Sequence, residues 1–173
     1  MRLQGKKVAM LAENLYQELE IWYPLLRLQE EGATVVVVGS GSAGEHTSKL
    51  GYPVKVDLFA DQVKADDFDG VIIPGGYAPD IMRRYPSMVK LVRDMGEQGK
   101  LVAAICHGGW MLASANIVAG KKLTAFFAIK DDLVHAGAHF YDAAVVVDGN
   151  LITSRKPEDL PAFCREIIAA LSR

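Results

Sequence analysis

Cysteine is scarce in this chain of 173 residues, which contains only Cys106 and Cys164. Two thiols in such different sequence contexts are a poor framework for disulfides and are typical of a reducing compartment. They are also too few for a zinc cluster built from cysteines. His135 and His139 have the i,i+4 spacing of helical metal ligands, but an acidic partner of the metalloprotease type is missing. We therefore expect no metal, no cofactor and a cytoplasmic location.

Excess charge of one sign and long apolar runs are also missing. Nineteen Lys and Arg residues nearly balance 21 Asp and Glu residues, which gives a net charge of −2. Without a basic stripe, neither nucleic acid nor an anionic membrane is an expected partner. No apolar run approaches the roughly 20 residues of a membrane span, and the first residues lead into a strand rather than a signal peptide. Half of the residues are hydrophobic, so we predict a single domain over 1–173.

Strand and helix patterns alternate along the chain. Uninterrupted Val and Ile runs predict strands covered on both faces, and amphipathic segments between them predict helices, with Ser87 as one N-cap. The pattern predicts a parallel α/β sandwich. Turn signals predict hairpins around Gly51 and at 148–150. The predicted strands are 7–11, 34–38, 71–73 and 101–105, and the predicted helices are 18–29, 87–98, 106 to about 116, 129–136 and 157–171.

Cys106 has the most informative surroundings in the sequence. Five apolar residues, 101–105, end abruptly at this thiol, and His107 and two glycines follow before a helix-forming stretch. The pattern predicts a sharp strand-to-helix turn with a nucleophile at its apex, beside free N–H groups and a helix N-terminus that lowers the pKa of the thiol. We interpret Cys106 as a reactive thiol and Cys164, inside the last helix, as a small core residue.

Glycines and polar residues at the same edge of the sheet complete the candidate site. Ligands of parallel α/β sheets bind beyond the carboxyl ends of the strands, where Gly75 and Gly76 also lie. Their N–H groups, with that of His107, could form an oxyanion hole. His107 could act as a general base if its ring folds back onto the thiol, or could merely start the helix. Asp80 could orient His107, or could simply favour a helix N-terminus.

Four segments, taken together and in this order, resemble the DJ-1/PfpI superfamily, and most closely its PfpI branch of intracellular proteases and general stress proteins. The resemblance implies a flavodoxin-like three-layer α/β/α fold related to class I glutamine amidotransferases. It also implies Cys106 as nucleophile, His107 as its neighbour, and Asp80 at an acidic position that reaches the histidine from an adjoining subunit. Homo-oligomers, dimers or hexamers, are implied as well. The segments are 74–80, 104–108, 129–132 and 147–155.

One departure from the family pattern concerns a glutamate on the first helix that hydrogen-bonds the reactive thiol. With Tyr23-Pro24 as anchor, an ungapped alignment puts Gln17 at that position, and a shift of one residue would put Glu18 there. An amide cannot hold a proton or a charge, so Gln17 favours hydrogen-bond support of the sulfur over proton transfer. A second departure is Phe126-Phe127, where relatives often have a tyrosine.

Three functions stay open at this point. The chain could be a cysteine hydrolase that acts on small electrophilic carbonyls, as a deglycase or glyoxalase does, or less favourably on peptides. It could instead be a non-catalytic sensor of oxidative stress, in which an oxidant converts Cys106 to a sulfenic or sulfinic acid. A chaperone with a vestigial pocket is the third possibility.

Overall fold

A seven-stranded, mostly parallel sheet forms the centre of the protein. The computed structural model describes all residues, 1–173. Six strands run parallel, and only the edge strand β10 pairs antiparallel, with β11. The strand order is β10-β11-β7-β6-β1-β2-β5. The strands of this sheet are β1 (Lys7–Ala12), β2 (Thr34–Gly39), β5 (Leu58–Phe59), β6 (Gly70–Ile73), β7 (Leu101–Ile105), β10 (Val145–Asp148) and β11 (Leu151–Ser154).

Helices cover both faces of this sheet. The first and last helices, α1 and α6, pack against each other, and α4 packs against α2, α3 and α5. The central strands β6 and β7 are completely buried because both of their faces are covered. This arrangement confirms the predicted flavodoxin-like α/β sandwich. The helices are α1 (Glu18–Glu30), α2 (Ala78–Met82), α3 (Pro86–Glu97), α4 (Gly109–Ser114), α5 (Lys130–His135) and α6 (Leu160–Leu171).

Both predicted hairpins are present. The first pairs β3 (Glu45–Thr47) with β4 (Pro53–Lys55), and the second joins β10 to β11 through Gly149. Gly149 has a φ of 60°, which suits a tight turn of this kind. The sequence did not reveal the small parallel pair of β8 (Lys122–Leu123) and β9 (His139–Phe140).

Two helix predictions need correction. Ser87 is not an N-cap, because α3 begins one residue earlier at Pro86, with Tyr85 at the cap position and no side-chain cap. Proline favours the first helical position since its fixed φ is already helical and its missing N–H would have no partner there. The helix after Cys106 is also shorter than expected. A 3-10 turn, Cys106–Gly108, precedes α4, which ends at Ser114.

The sheet register brings the predicted site together. Strand β6 lies between β1 and β7, and Ile73 of β6 pairs with Ala104 of β7. The segments that leave the carboxyl ends of these strands therefore start side by side, with Gly75 and Gly76 after β6 and Cys106 after β7. The longest helix, α1, has 13 residues, and none of the helices is long and apolar enough to cross a bilayer.

Candidate active site

Cys106 occupies a strained position at the end of β7. Its φ is 60°, in the left-handed region that residues with a Cβ rarely adopt. The backbone turns here from the strand into the 3-10 turn, so the thiol projects from the apex of a sharp elbow. The residue is 8% exposed. The predicted strand-to-helix turn is therefore present, although the helix that follows it has only six residues.

A buried carboxyl group, Glu20, lies beside this thiol. Glu20 is in the first turn of α1 and is fully buried. Its Oε2 accepts a hydrogen bond of 2.6 Å from the N–H of Gly75. Its Oε1 is buried without a hydrogen-bond partner, and the neighbouring Cys106 thiol lowers the pKa of this carboxyl, against the larger opposite effect of burial. Glu20 therefore supplies the group that the alignment sought at Gln17 or Glu18.

Neither Gln17 nor Glu18 hydrogen-bonds the thiol, so both candidates for its side-chain partner are wrong. Gln17 is the N-cap of α1, where its side chain accepts a hydrogen bond of 3.0 Å from the N–H of Glu20. Glu18 turns toward the β3–β4 hairpin and accepts a hydrogen bond of 2.7 Å from the N–H of Leu50. The ungapped alignment failed because its anchor did not fix how many residues separate the end of β1 from α1.

Gly75 is a glycine because the two reactive side chains leave no room for another atom. A Cβ at this position would lie 2.6 Å from Glu20 Oε2, 2.7 Å from Cys106 Cβ and 3.0 Å from Cys106 Sγ. Both functional groups thus converge on the Gly75 backbone, which allows the close approach that only glycine permits. Its N–H serves the Glu20 carboxyl and is not left for an oxyanion.

The remaining predicted oxyanion donors face the sulfur. The backbone N–H groups of His107 and Gly76 lower the pKa of the Cys106 thiol and so favour its thiolate form, against the larger effect of burial. Gly76 has a φ of 74°, and a Cβ there would lie 2.4 Å from the carbonyl oxygen of Leu15. Two N–H groups that converge on one point can stabilise a negatively charged oxygen as well as a thiolate. The structure therefore reduces the predicted set of three donors to two.

Burial governs the protonation of the carboxyl and the thiol. It raises the pKa of Glu20 to about 8. Burial, and then the negative charge of an ionised Glu20, raise the pKa of the Cys106 thiol to about 12. While Glu20 keeps its proton, it has no negative charge that would repel a thiolate. Its O–H group can then donate a hydrogen bond to the sulfur. Ionisation of the two groups is therefore mutually opposed: the pair loses its first proton near pH 8, and above that pH the two groups share the one that remains.

The ring of His107 folds back onto the thiol. Its Nδ1 lies 3.2 Å from Cys106 Sγ. Phe126 stacks on the ring with centroids 4.9 Å apart, and Trp110 meets it edge-on at 5.1 Å. Burial, and then the positive charge of Lys49, lower the pKa of His107 below its ordinary value. The imidazole is therefore neutral at pH 7 and can accept a proton from the thiol.

Asp80 lies on α2 and forms no hydrogen bond with His107 within the chain. Its carboxylate pairs with Arg84 four residues later. That hydrogen bond is the main reason why the pKa of Asp80 is lowered, and Tyr77 contributes a smaller effect. Within one chain, Asp80 therefore has the role of an acid near a helix start, and contact with a histidine across a subunit boundary stays a prediction.

Two residues that matter at the site were missed in the sequence. Glu20 could have been found from its position, because it shares the buried face of α1 with Ile21, Pro24, Leu25 and Leu28. A carboxyl on the apolar face of an amphipathic helix needs a partner or a function. Lys49, in the loop of the β3–β4 hairpin, contributes positive charge that lowers the pKa of Glu20 and of His107. No local pattern marked Lys49.

Comparisons with known proteins identify the family of this chain. The family model described as "DJ-1/PfpI family" matches residues 6–170. Deglycase PfpI of Pyrococcus furiosus is 44% identical over 95% of this chain and 99% of its own length. The putative cysteine protease YraA of Bacillus subtilis is 39% identical over 96% of this chain and 99% of its own length.

A solved structure supports the same assignment. A two-domain protein of Anabaena variabilis, with DJ-1/ThiJ/PfpI-like and ferritin-like domains, superposes with a TM-score of 0.94 at 45% identity. The match covers 96% of this chain, which spans about half (48%) of that longer protein. From the family match over nearly its whole length and from these relatives, the chain belongs to the DJ-1/PfpI family.

Proposed function

We propose that this protein is a cysteine enzyme that acts on small electrophilic carbonyl compounds, such as glyoxals and their adducts. The observation that carries the proposal is the convergence of Glu20, Cys106 and His107, with two backbone N–H groups, on one sulfur atom. Relatives named as deglycases support the same reaction class. A reducing cytoplasm, which suits two free thiols, is part of this proposal.

The proposed reaction starts with attack of Cys106 Sγ on an aldehyde carbon. The thiol proton passes to His107 or is shared with Glu20, and an S–C bond forms as the C=O double bond opens. The N–H groups of Gly76 and His107 stabilise the resulting oxyanion, and the returning proton completes a hemithioacetal.

With methylglyoxal, the proton on the former aldehyde carbon is then moved to the neighbouring carbon by His107. The first carbon becomes a thioester while the ketone becomes an alcohol, so the oxidation and the reduction balance within the substrate. One water molecule hydrolyses the thioester to a 2-hydroxy acid and restores the thiol. The overall reaction adds one water and needs no cofactor.

Burial of the thiol favours a small substrate over a protein chain. Only 8% of Cys106 is exposed, and the rings of Trp110 and Phe126 flank His107 beside it. A two- or three-carbon aldehyde needs less space than an extended peptide does. We therefore rank peptidase activity below the carbonyl reaction, although one relative carries the name of a putative cysteine protease.

The presence of Glu20 also weakens the alternative of a non-catalytic oxidation sensor. That alternative drew on Gln17 as a partner that could not transfer protons, and Gln17 is a helix cap. Sensor cysteines are accessible and have a low pKa, whereas Cys106 is buried and its pKa is raised. Stress protection by removal of reactive carbonyls is the form of stress response that fits this site.

We further propose that the protein works as a homo-oligomer. Apolar side chains are exposed on α1 and on the β3–β4 loop, where Leu26 is 57% and Leu50 is 86% exposed. Together with Leu19, Trp22 and Tyr52 they line a cavity of about 520 Å³. Exposed apolar patches of this kind are typical of subunit interfaces. Light scattering after size-exclusion chromatography should give a dimer or hexamer, and a monomer would contradict this part.

Replacement of the sulfur tests the proposed activity. Cys106→Ala should abolish the conversion of methylglyoxal to lactate, because no other group can form the covalent intermediate. Cys164→Ala is the matched control, since Cys164 is a buried thiol in α6, and it should retain the parent rate. Turnover that survives Cys106→Ala would overturn the proposal.

A further inference from the structure

A second cavity shares a wall with the thiol site. It has a volume of about 570 Å³, within the range of small-molecule sites. Three aromatic rings and three cationic side chains contribute most of its lining. They are Phe126, Phe127, Phe140, Lys130, Arg155 and Lys156. An apolar surface edged by positive charge is suited to an anion with an apolar body.

Phe126 connects this cavity to the sulfur. Its ring lines the cavity and stacks on His107 at 4.9 Å, and its N–H donates a hydrogen bond of 3.3 Å to the carbonyl oxygen of Cys106. The His107 ring in turn lies 3.2 Å from Sγ. Phe126 and His107 therefore lie in that order between the cavity and the sulfur, and a molecule that binds in the cavity must extend past both rings to reach the thiol.

The charges in the cavity are not equally available. The Arg155 guanidinium is held by Asp159 at 2.9 Å and by Asp142 at 2.8 Å. Neither Lys130 nor Lys156 takes part in an ion pair, and Lys130 lies over the ring of Phe140 at 5.7 Å. Two uncompensated ammonium groups beside a fixed carboxylate, Asp142, suit a singly charged anion better than a doubly charged one.

The exposure of Phe127 points to a ligand at the same place. This side chain is 76% exposed and packs on Phe126 with ring centroids 4.8 Å apart. A phenyl ring held at the mouth of a cavity can cover the apolar part of a bound molecule.

We propose that this cavity binds the carboxylate end of the substrate, so that the preferred substrates are carboxylate-bearing carbonyl adducts with an apolar body. This inference rests on the proposed function for the position of the reacting carbonyl, which lies at Cys106. Lys130 and Lys156 bind the carboxylate, and the phenylalanine rings contact the apolar segment between the two ends.

Binding of an unreactive probe tests the cavity without any turnover. Phenylacetate should bind the parent protein in an NMR titration, and phenylacetamide, its neutral analogue, should bind about twofold to fivefold more weakly, as expected for contacts with exposed charges. The double variant Lys130→Gln/Lys156→Gln should lose this preference. Lys64→Gln/Lys90→Gln, which removes two exposed lysines elsewhere, should keep it.

Each outcome decides the inference. Equal binding of the two probes to the parent, or an unchanged preference in Lys130→Gln/Lys156→Gln, would overturn it. Tighter binding of phenyl phosphate than of phenylacetate would overturn the assignment to a carboxylate.

Turnover gives an independent readout. In the methylglyoxal hemithioacetal of N-acetylcysteine, Cys106 Sγ replaces the sulfur on the former aldehyde carbon and N-acetylcysteine leaves as the free thiol, after which the steps are those of methylglyoxal. This adduct should be processed with a higher kcat/KM than that of N-acetylcysteine amide, and salt should reduce the difference. Absence of all turnover with intact probe binding would remove the proposed function and would leave the cavity as a carboxylate-binding site without a reaction. Turnover without any preference for the anionic adduct would remove this inference alone.

Discussion

Replacement of Glu20 by glutamine should make the protein more stable at alkaline pH. Burial raises the pKa of this carboxyl from its ordinary value near 4.5 to about 8. At about 1.4 kcal/mol per pKa unit, the shift corresponds to roughly 5 kcal/mol. Between these two pH values the folded protein keeps a proton that the unfolded chain releases. The stabilising contribution of Glu20 is therefore complete below pH 4.5 and is lost as the pH rises through 8.

Glu20→Gln removes this pH dependence with little change in shape. The amide oxygen can still accept the hydrogen bond from Gly75, which is 2.6 Å in the parent. The free energy of unfolding, measured by urea denaturation at pH 5 and pH 8, should show the variant gaining several kcal/mol on the parent as the pH rises. Apart from Cys106, whose ionisation is coupled to that of Glu20, the other titrating groups are common to both proteins and cancel in the difference. A difference that stays within about 1 kcal/mol would refute the reasoning, because Glu20 would then be ionised in the folded protein.

Alkylation of Cys106 gives a second readout of the same proton. In a Cys164→Ala background, the rate with iodoacetamide should show a step near pH 8 as the Glu20–Cys106 pair loses its first proton. Glu20→Gln has no proton to lose and should show only the ionisation of the thiol itself. His107 cannot produce the step, since burial lowers its pKa below the ordinary value. A step near pH 8 that persists in Glu20→Gln would contradict the shared proton.

Three further predictions concern residues other than the reacting groups. Gly75→Ala should destabilise the fold by about 1–3 kcal/mol in thermal unfolding, because the new Cβ would lie 2.7 Å from Cys106 Cβ; unchanged stability would argue against this packing. His46 is buried in β3, and burial lowers its pKa against the smaller opposing effect of Glu13, 3.0 Å away, so the stabilising contribution of the neutral imidazole is present above its ordinary pKa and is lost as the pH falls below it. Urea denaturation of His46→Gln at pH 5.5 and 7.5 should show a weaker pH dependence than the parent, and an equal dependence would contradict the burial effect. Asp80→Asn removes only an exposed pair with Arg84 and should change the free energy of unfolding by less than about 1 kcal/mol, so a larger loss would indicate a contact beyond this chain.

Patterns that depend on the whole sheet could be predicted from the sequence. Uninterrupted apolar runs predicted the strands that end at Ala12, Gly39, Ile73 and Ile105, because a strand covered on both faces needs apolar residues at every position. The order of strand, Cys106 and glycines predicted the elbow. This order is informative because a sharp turn from strand to helix requires small residues after its apex.

The direction of individual side chains could not be predicted in the same way. Gln17, Glu18 and Glu20 lie within four residues, and a helix turns about 100° per residue, so an error of one position points a different side chain at the thiol. The correct choice follows from the face that α1 buries, which includes Glu20 and Ile21. The periodicity of the buried positions in α1 therefore identifies the side chain next to the thiol better than an alignment anchored at one point does.

Glu20 is difficult to explain by its contribution to folding. One of its oxygens is buried without a conventional hydrogen bond, and its raised pKa removes roughly 5 kcal/mol at alkaline pH, out of the 5–15 kcal/mol that stabilises a typical domain. Glutamine would fill the same space and keep the Gly75 hydrogen bond without this loss. What only a carboxyl provides is a proton that can be given to, or taken from, the sulfur of Cys106. A residue that lowers stability where an isostere would not is best accounted for by the chemistry of the atom beside it, and Glu20 therefore supports proton transfer at Cys106.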